Sequence, residues 1–100
     1  MTESTYYILL SLYHPQHGYG IMQQTERLSG GRVRLAAGTL YGALSALCER
    51  GWIIPMRAAE ESRKKEYRLT EVGLAALRGE LCRLRQLVAN GDAILEEEAK

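Results

Sequence analysis

The chain has 100 residues, 46% hydrophobic and 25% charged, which gives one domain with a real core and leaves no room for two. No apolar run approaches the roughly 18 residues that cross a bilayer, and Met1-Thr2-Glu3-Ser4 lacks the basic stretch and apolar block of a signal peptide, so a cytoplasmic location without membrane contact is expected. The net charge of +1 argues by itself against nucleic acid, but residues 27–68 carry nine basic against four acidic residues, or +5, which leaves −4 for the remainder.

The spacing of Tyr6, Leu9, Leu10 and Tyr13 predicts a first helix over residues 5–13, closed by His14-Pro15 because the residue before proline avoids the helical region. The segment His14-Pro15-Gln16-His17 reads as a turn. A second helix starts near Gly18, with Ile21, Thr25 and Leu28 on one stripe, and ends at Ser29-Gly30-Gly31. After the basic connector Arg32-Val33-Arg34-Leu35, a third helix carries the stripe Leu40, Leu44, Leu47 and Cys48 up to Arg50-Gly51.

The period then changes. Residues 52–56 and 65–69 are β-prone and flank a polar stretch, which predicts a two-stranded hairpin with a basic tip, its first strand at an edge because Pro55 lacks an N–H. Thr70 offers a cap oxygen to a fourth helix in which Leu74, Leu77, Leu81, Leu84 and Val88 recur at heptad spacing; Gly91 interrupts the helix and Leu95 resumes the seam. The expected fold is mainly α with a small β-hairpin. It is a winged helix-turn-helix DNA-binding domain over residues 1–70, followed by a long C-terminal dimerisation helix over residues 71–100.

His17-Gly18-Tyr19 opening the second helix, Gly38-Thr39-Leu40-Tyr41 opening the third, and Lys64-Lys65-Glu66-Tyr67-Arg68-Leu69-Thr70-Glu71-Val72-Gly73 entering the last helix together resemble the PadR-like transcriptional regulators. The likeness spans residues 6–78 and fits the family's compact branch, with a single C-terminal helix. It implies a homodimeric repressor released by a small hydrophobic or aromatic effector. The chain departs from the pattern at Ala37 where proline is usual, at Gly42 where a larger and often basic residue follows the tyrosine, and at Glu66 where an aromatic is common.

The expected contacts to double-stranded DNA are Arg32 and Arg34 on the connector, Thr39, Tyr41 and Ser45 on the third helix, and Arg63, Lys64, Lys65 and Tyr67 on the wing. The outward face of the third helix, including Gly42, Ala46 and Glu49, has no Arg, Lys, Asn or Gln for bidentate reading of guanine or adenine, so shape and half-site spacing are expected to carry specificity. This same poverty supports the rival reading of a protein-binding winged-helix module, an anti-activator or heterodimer partner with weak DNA affinity. Leu74, Leu77, Leu81, Leu84, Val88 and Leu95 are the expected dimer seam, and Tyr7, Leu81 and Leu84 the candidates for an effector site.

Tyr6 and Tyr13 are expected to pack within the first helix, and Trp52 to pack the hairpin onto the third. Cys48 and Cys82 make no disulfide framework and read as buried structural thiols. His14 and His17 match no zinc spacing. No nucleophile-base pair, phosphate loop or paired carboxylates point to an enzyme, and no cofactor or metal is expected.

Overall fold

The chain folds in the order α1 (Glu3–Ser11), β1 (Gln16–His17), α2 (Gly18–Leu28), α3 (Ala37–Glu49), β2 (Ile53–Met56), β3 (Glu66–Leu69) and α4 (Glu71–Glu98). The computed structural model describes residues 1–56 and 65–98. It is a winged helix-turn-helix with a long C-terminal helix, mainly α as expected.

Helix α1 begins two residues earlier than the periodicity predicts, because the Thr5 N–H donates to Thr2 Oγ1 at 3.1 Å and caps the helix there. Its buried face is Ile8 and Leu9 with Leu12 at the C-cap. Tyr13 lies past the helix end, so the helical period no longer governs its direction; it is 61% exposed and meets the His14 ring edge-on rather than packing inward. Tyr6 does pack against the core.

The segment read as a turn before α2 contains a short strand. β1 pairs antiparallel with β3, Gln16 opposite Tyr67 and His17 opposite Glu66, so the sheet has three strands in the order β1-β3-β2 instead of two. A two-residue strand is too short to show an alternation. β2 is an edge strand, where Pro55, which has no N–H to donate, stands opposite Tyr67.

α3 presents Leu40, Leu44 and Leu47 to the interior, as its stripe predicts, and ends at Gly51, whose φ of +73° is open to glycine at little steric cost. The turn that follows returns the chain into β2: the Gly51 N–H donates to the Cys48 carbonyl at 3.0 Å and the Trp52 N–H to the Leu47 carbonyl at 3.1 Å. These residues join Ile8, Leu9, Leu12, Ile21, Ile53, Tyr67 and Leu77 in one core. Each large apolar side chain buried there contributes about 1.5–3 kcal/mol.

Thr70 fastens α4 to the head. Its hydroxyl accepts from the Gly73 N–H at 3.0 Å and donates to the Gly51 carbonyl at 2.6 Å, while its own N–H donates to the Trp52 carbonyl at 3.0 Å. A Cβ on Gly73 would lie 2.0 Å from the Trp52 carbonyl oxygen, so only glycine permits this approach. Trp52 is half-buried against the core, and the Arg50 guanidinium lies 5.1 Å from its ring centroid.

α4 then runs unbroken through Gly91, contrary to the expected interruption; a glycine costs a helix interior about 1 kcal/mol, which a 28-residue helix tolerates. Its seam divides along the length. Leu77 is buried in this chain's own core, so it is a docking residue of the head and not a free seam position, while Leu74, Leu81 and Leu84 are half-buried and Val88 and Leu95 exposed. From Arg85 to Glu96 every side chain except Gly91 is exposed.

Candidate nucleic-acid interface

The connector between α2 and α3 is anchored by one apolar residue. Val33 is buried, and its N–H donates to Ser29 Oγ at 2.9 Å. In extended chain, neighbours of an inward residue point outward. Arg32 and Arg34 accordingly project into solvent, with side chains 70% and 76% exposed. Neither is free of a partner: Arg32 Nη2 pairs with Glu3 at the start of α1, and Arg34 Nε lies 3.2 Å from Glu26 Oε1 near the end of α2. The hydrogen bond and charge of Glu3 raise the Arg32 pKa further above its ordinary value.

The connector delivers the chain to the N-terminus of α3, where Ala36 makes no side-chain cap bond. The first N–H groups of that helix are therefore without side-chain partners and favour negative charge. Thr39, Tyr41 and Ser45 are exposed on α3, together with Gly42, Ala46 and Glu49, as the helical wheel predicts. Neither Gly38 nor Gly42 has a neighbouring atom within 4 Å of where a Cβ would stand.

Tyr41 is held in place from behind. A Cβ on Gly18, the first residue of α2, would meet the Tyr41 hydroxyl at 2.7 Å. Gly18 itself is buried, and α2 is capped by His17, whose Nδ1 accepts from the Gly20 N–H at 3.1 Å. His17 thus serves as a helix cap. Among the described residues no cluster of His, Cys, Asp and Glu has the makings of a metal site.

On the wing, Lys65 is exposed just before β3, whereas Arg63 and Lys64 lie outside the described residues. Tyr67, expected among the DNA contacts of the wing, is instead 7% exposed and belongs to the core, because on the central strand its side chain faces the helices. Burial, followed by the nearby Cys48 and Tyr41 groups, pushes its phenol above the ordinary value. The exposed position on β3 is its neighbour Arg68, opposite Ile54.

A cleft of about 330 Å³ lies between α1 and α4, lined by Tyr6, Tyr7, Glu80 and Leu84 with the Arg32–Glu3 pair at its wall. Tyr7 and Leu84 therefore share one cleft, and Leu81 lies instead in a shallower groove with Leu84 and Val88. Glu80 is nearly buried and receives two hydrogen bonds from Arg83, at 2.6 and 2.8 Å, and the Met1 amino group stands 3.4 Å away. The Arg83 bonds bring its pKa from 4.5 down to about 2, against the opposing effect of burial. Cys82 sits off the apolar stripe and is exposed, and Cys48 is half-buried, so neither is the fully buried thiol expected.

Sequence reasoning did not find Glu3 and Glu26 as partners of the connector arginines, nor Gly18 as the seat of Tyr41. The Glu3–Arg32 pair joins residues 29 apart, and no local pattern connects them. The juxtaposition of a tyrosine on one helix with a glycine that opens another is a tertiary fact.

Residues 8–79 match the transcriptional regulator PadR-like family. No curated protein matches the sequence. Among solved structures, the chain is similar to a PadR family transcription regulator from Clostridium difficile, with a TM-score of 0.79 and 22% identity over 94% of this chain and 99% of that one. It is also similar to a PadR family transcriptional regulator from Eggerthella lenta, with a TM-score of 0.72 and 25% identity over 92% of this chain and 80% of the other. Bacillus subtilis PadR in complex with operator DNA is similar at a TM-score of 0.70 and 26% identity, over 81% of this chain and 47% of its own length.

Proposed function

Because the chain belongs to the PadR-like transcriptional regulator family, we propose that it is a cytoplasmic, sequence-specific DNA-binding repressor that acts as a homodimer. The observation that carries this reading is the exposed connector bearing Arg32 and Arg34, which leads directly into the uncapped N-terminus and exposed face of α3. Bacillus subtilis PadR, of similar fold, is known in complex with operator DNA.

In the proposed complex α3 enters the major groove. Arg32, Arg34 and Lys65, with Arg63 and Lys64 of the wing, contact phosphates. Thr39, Tyr41 and Ser45 position the helix and touch sugar, phosphate or thymine methyls. With Gly42 and Ala46 between them the helix can approach the base edges closely, and specificity comes from groove shape and from the spacing of two half-sites.

Residues 1–70 form the reading head and residues 71–100 the dimer helix. The stripe of α4 that the head covers at Gly73, Leu77 and Glu80 continues beyond it as Leu84, Leu87, Val88, Ile94 and Leu95, four of them well exposed. An apolar stripe of that length matches the same stripe on a second copy. The α1–α4 cleft, with Tyr7 and Leu84 in its lining, is the place for a small hydrophobic or aromatic effector that releases the DNA.

Operator mapping with the purified chain on the promoter of its neighbouring genes tests the reading. A protected site of two half-sites about one helical turn apart is expected. The lack of Arg, Lys, Asn and Gln on the exposed face of α3 favours a second reading, a protein-binding winged-helix module with weak DNA affinity. That reading gains if operator and random duplex bind equally poorly at moderate salt.

A further inference from the structure

We propose that Glu3 and Glu26 are positioning residues for DNA binding, each holding a connector arginine in a neutral pair and thereby lowering the affinity of the connector for phosphate. The inference rests on the DNA-binding reading above and adds to it two acidic residues that set the strength of the interface.

Arg32 and Arg34 are the two most exposed described cations of the connector, and each meets one carboxylate carried by a different helix, Glu3 from α1 and Glu26 from α2. These carboxylates are themselves half-exposed, at 47% and 51%. A phosphate approaching either guanidinium therefore meets a pair of zero net charge, and the carboxylate beside it repels the phosphate. The number of counterions released from DNA falls with each arginine so neutralised.

Glu26 has no evident structural reason to be acidic. It stands in the last turns of α2, where the helix dipole disfavours negative charge, and its side-chain partner is Arg34. Exposed ion pairs of this kind add little to folding. Glu3 does suit the first turn of α1, yet its carboxylate reaches across to the connector 29 residues away instead of serving its own helix end, which Thr2 already caps. Both acids therefore act on the arginines more than on the fold.

The test is a fluorescence anisotropy titration of the full chain with operator and random duplexes at several salt concentrations, for the parent chain, Glu3→Gln, Glu26→Gln and the double variant. Glu96→Gln, which removes from an exposed site on α4 the same one charge as either single variant, is the control for net charge against the single variants. The double variant is expected to bind both duplexes about tenfold tighter than the parent chain near 100 mM salt, with a log–log salt slope steeper by about 0.9 for each arginine released. Thermal midpoints should be unchanged. An unchanged slope, weaker binding in the double variant, or an equal gain in Glu96→Gln would overturn the proposal alone. Absence of any binding by the parent chain at low salt would overturn the DNA-binding reading and this proposal together.

Discussion

The hydroxyl of Tyr41, on the exposed side of α3, fills the space beside Gly18 at the start of α2, so that even a methyl group on Gly18 would lie 2.7 Å from it. The two helices of the helix-turn-helix are thus registered to each other by a tyrosine that also faces outward, with 51% of its surface free. Core leucines hold the helices together. Gly18 decides where the Tyr41 ring rests.

Gly18→Ala should therefore displace Tyr41 with little loss of stability, under about 1 kcal/mol, since a hydroxyl at the end of a side chain moves more easily than backbone. DNA affinity should fall by as much as in Tyr41→Ala, and the double variant should be no worse than either single one. Anisotropy titrations of the four proteins form a double-mutant cycle that checks this. Additive losses would mean the contact is unimportant.

Gly42 supplies a prediction of opposite signs. With nothing within 4 Å of its missing Cβ, Gly42→Ala should stabilise α3 by about 1 kcal/mol through helix propensity alone. If α3 lies close to the base edges, the same methyl should weaken operator binding. A raised melting temperature with reduced affinity is expected; a gain in both would show that the face stands off from the groove.

At Gly73 the obstacle is backbone and cannot turn aside. Gly73→Ala puts a carbon 2.0 Å from the Trp52 carbonyl oxygen and should cost about 3 kcal/mol, lifting α4 from the sheet and loosening the Thr70 cap. Thermal denaturation should show a midpoint lower by more than 10 °C, on the order of the shift that such a loss gives a domain of this size. Gly91→Ala, in open space on the same helix, should raise it.

Glu80 links stability to acid. Its carboxylate titrates near 4.5 when unfolded and at about 2 when bonded to Arg83, so the stabilisation is complete above pH 4.5 and fades as the pH falls toward 2. Glu80→Gln should flatten that part of the stability curve and leave its shape unaltered between pH 6 and 8. Urea midpoints measured from pH 2 to 7 on both proteins make the comparison.

The helices and the core were legible because leucines and isoleucines repeat at helical spacing, and the cap at Thr70 because its hydroxyl precedes the last helix directly. The faces were read less well at element ends. Tyr13 continues a stripe on paper but lies beyond the last turn of α1, and Tyr67 alternates toward the core on a strand whose central position the sequence alone did not reveal. Two-residue β1 carries no period at all. Of the candidate interface, Arg32, Arg34, Thr39, Tyr41, Ser45 and Lys65 are exposed as expected, while the acidic partners of the arginines depend on how α1 and α2 pack. Likewise Leu77 fits a heptad as well as it fits the head, and only the docking of α4 distinguishes the two.

The central claim is that two copies of this chain read one DNA site. Sedimentation of the purified chain with a labelled operator duplex, beside the variants Val88→Asp and Leu95→Asp, measures stoichiometry and affinity together. The account predicts two chains per duplex for the parent protein, binding at least about a thousandfold tighter than to random sequence, the order of magnitude usual for specific sites, and monomers with little DNA affinity for the variants. One chain per duplex, or variants that still bind the operator as tightly as the parent, would contradict it.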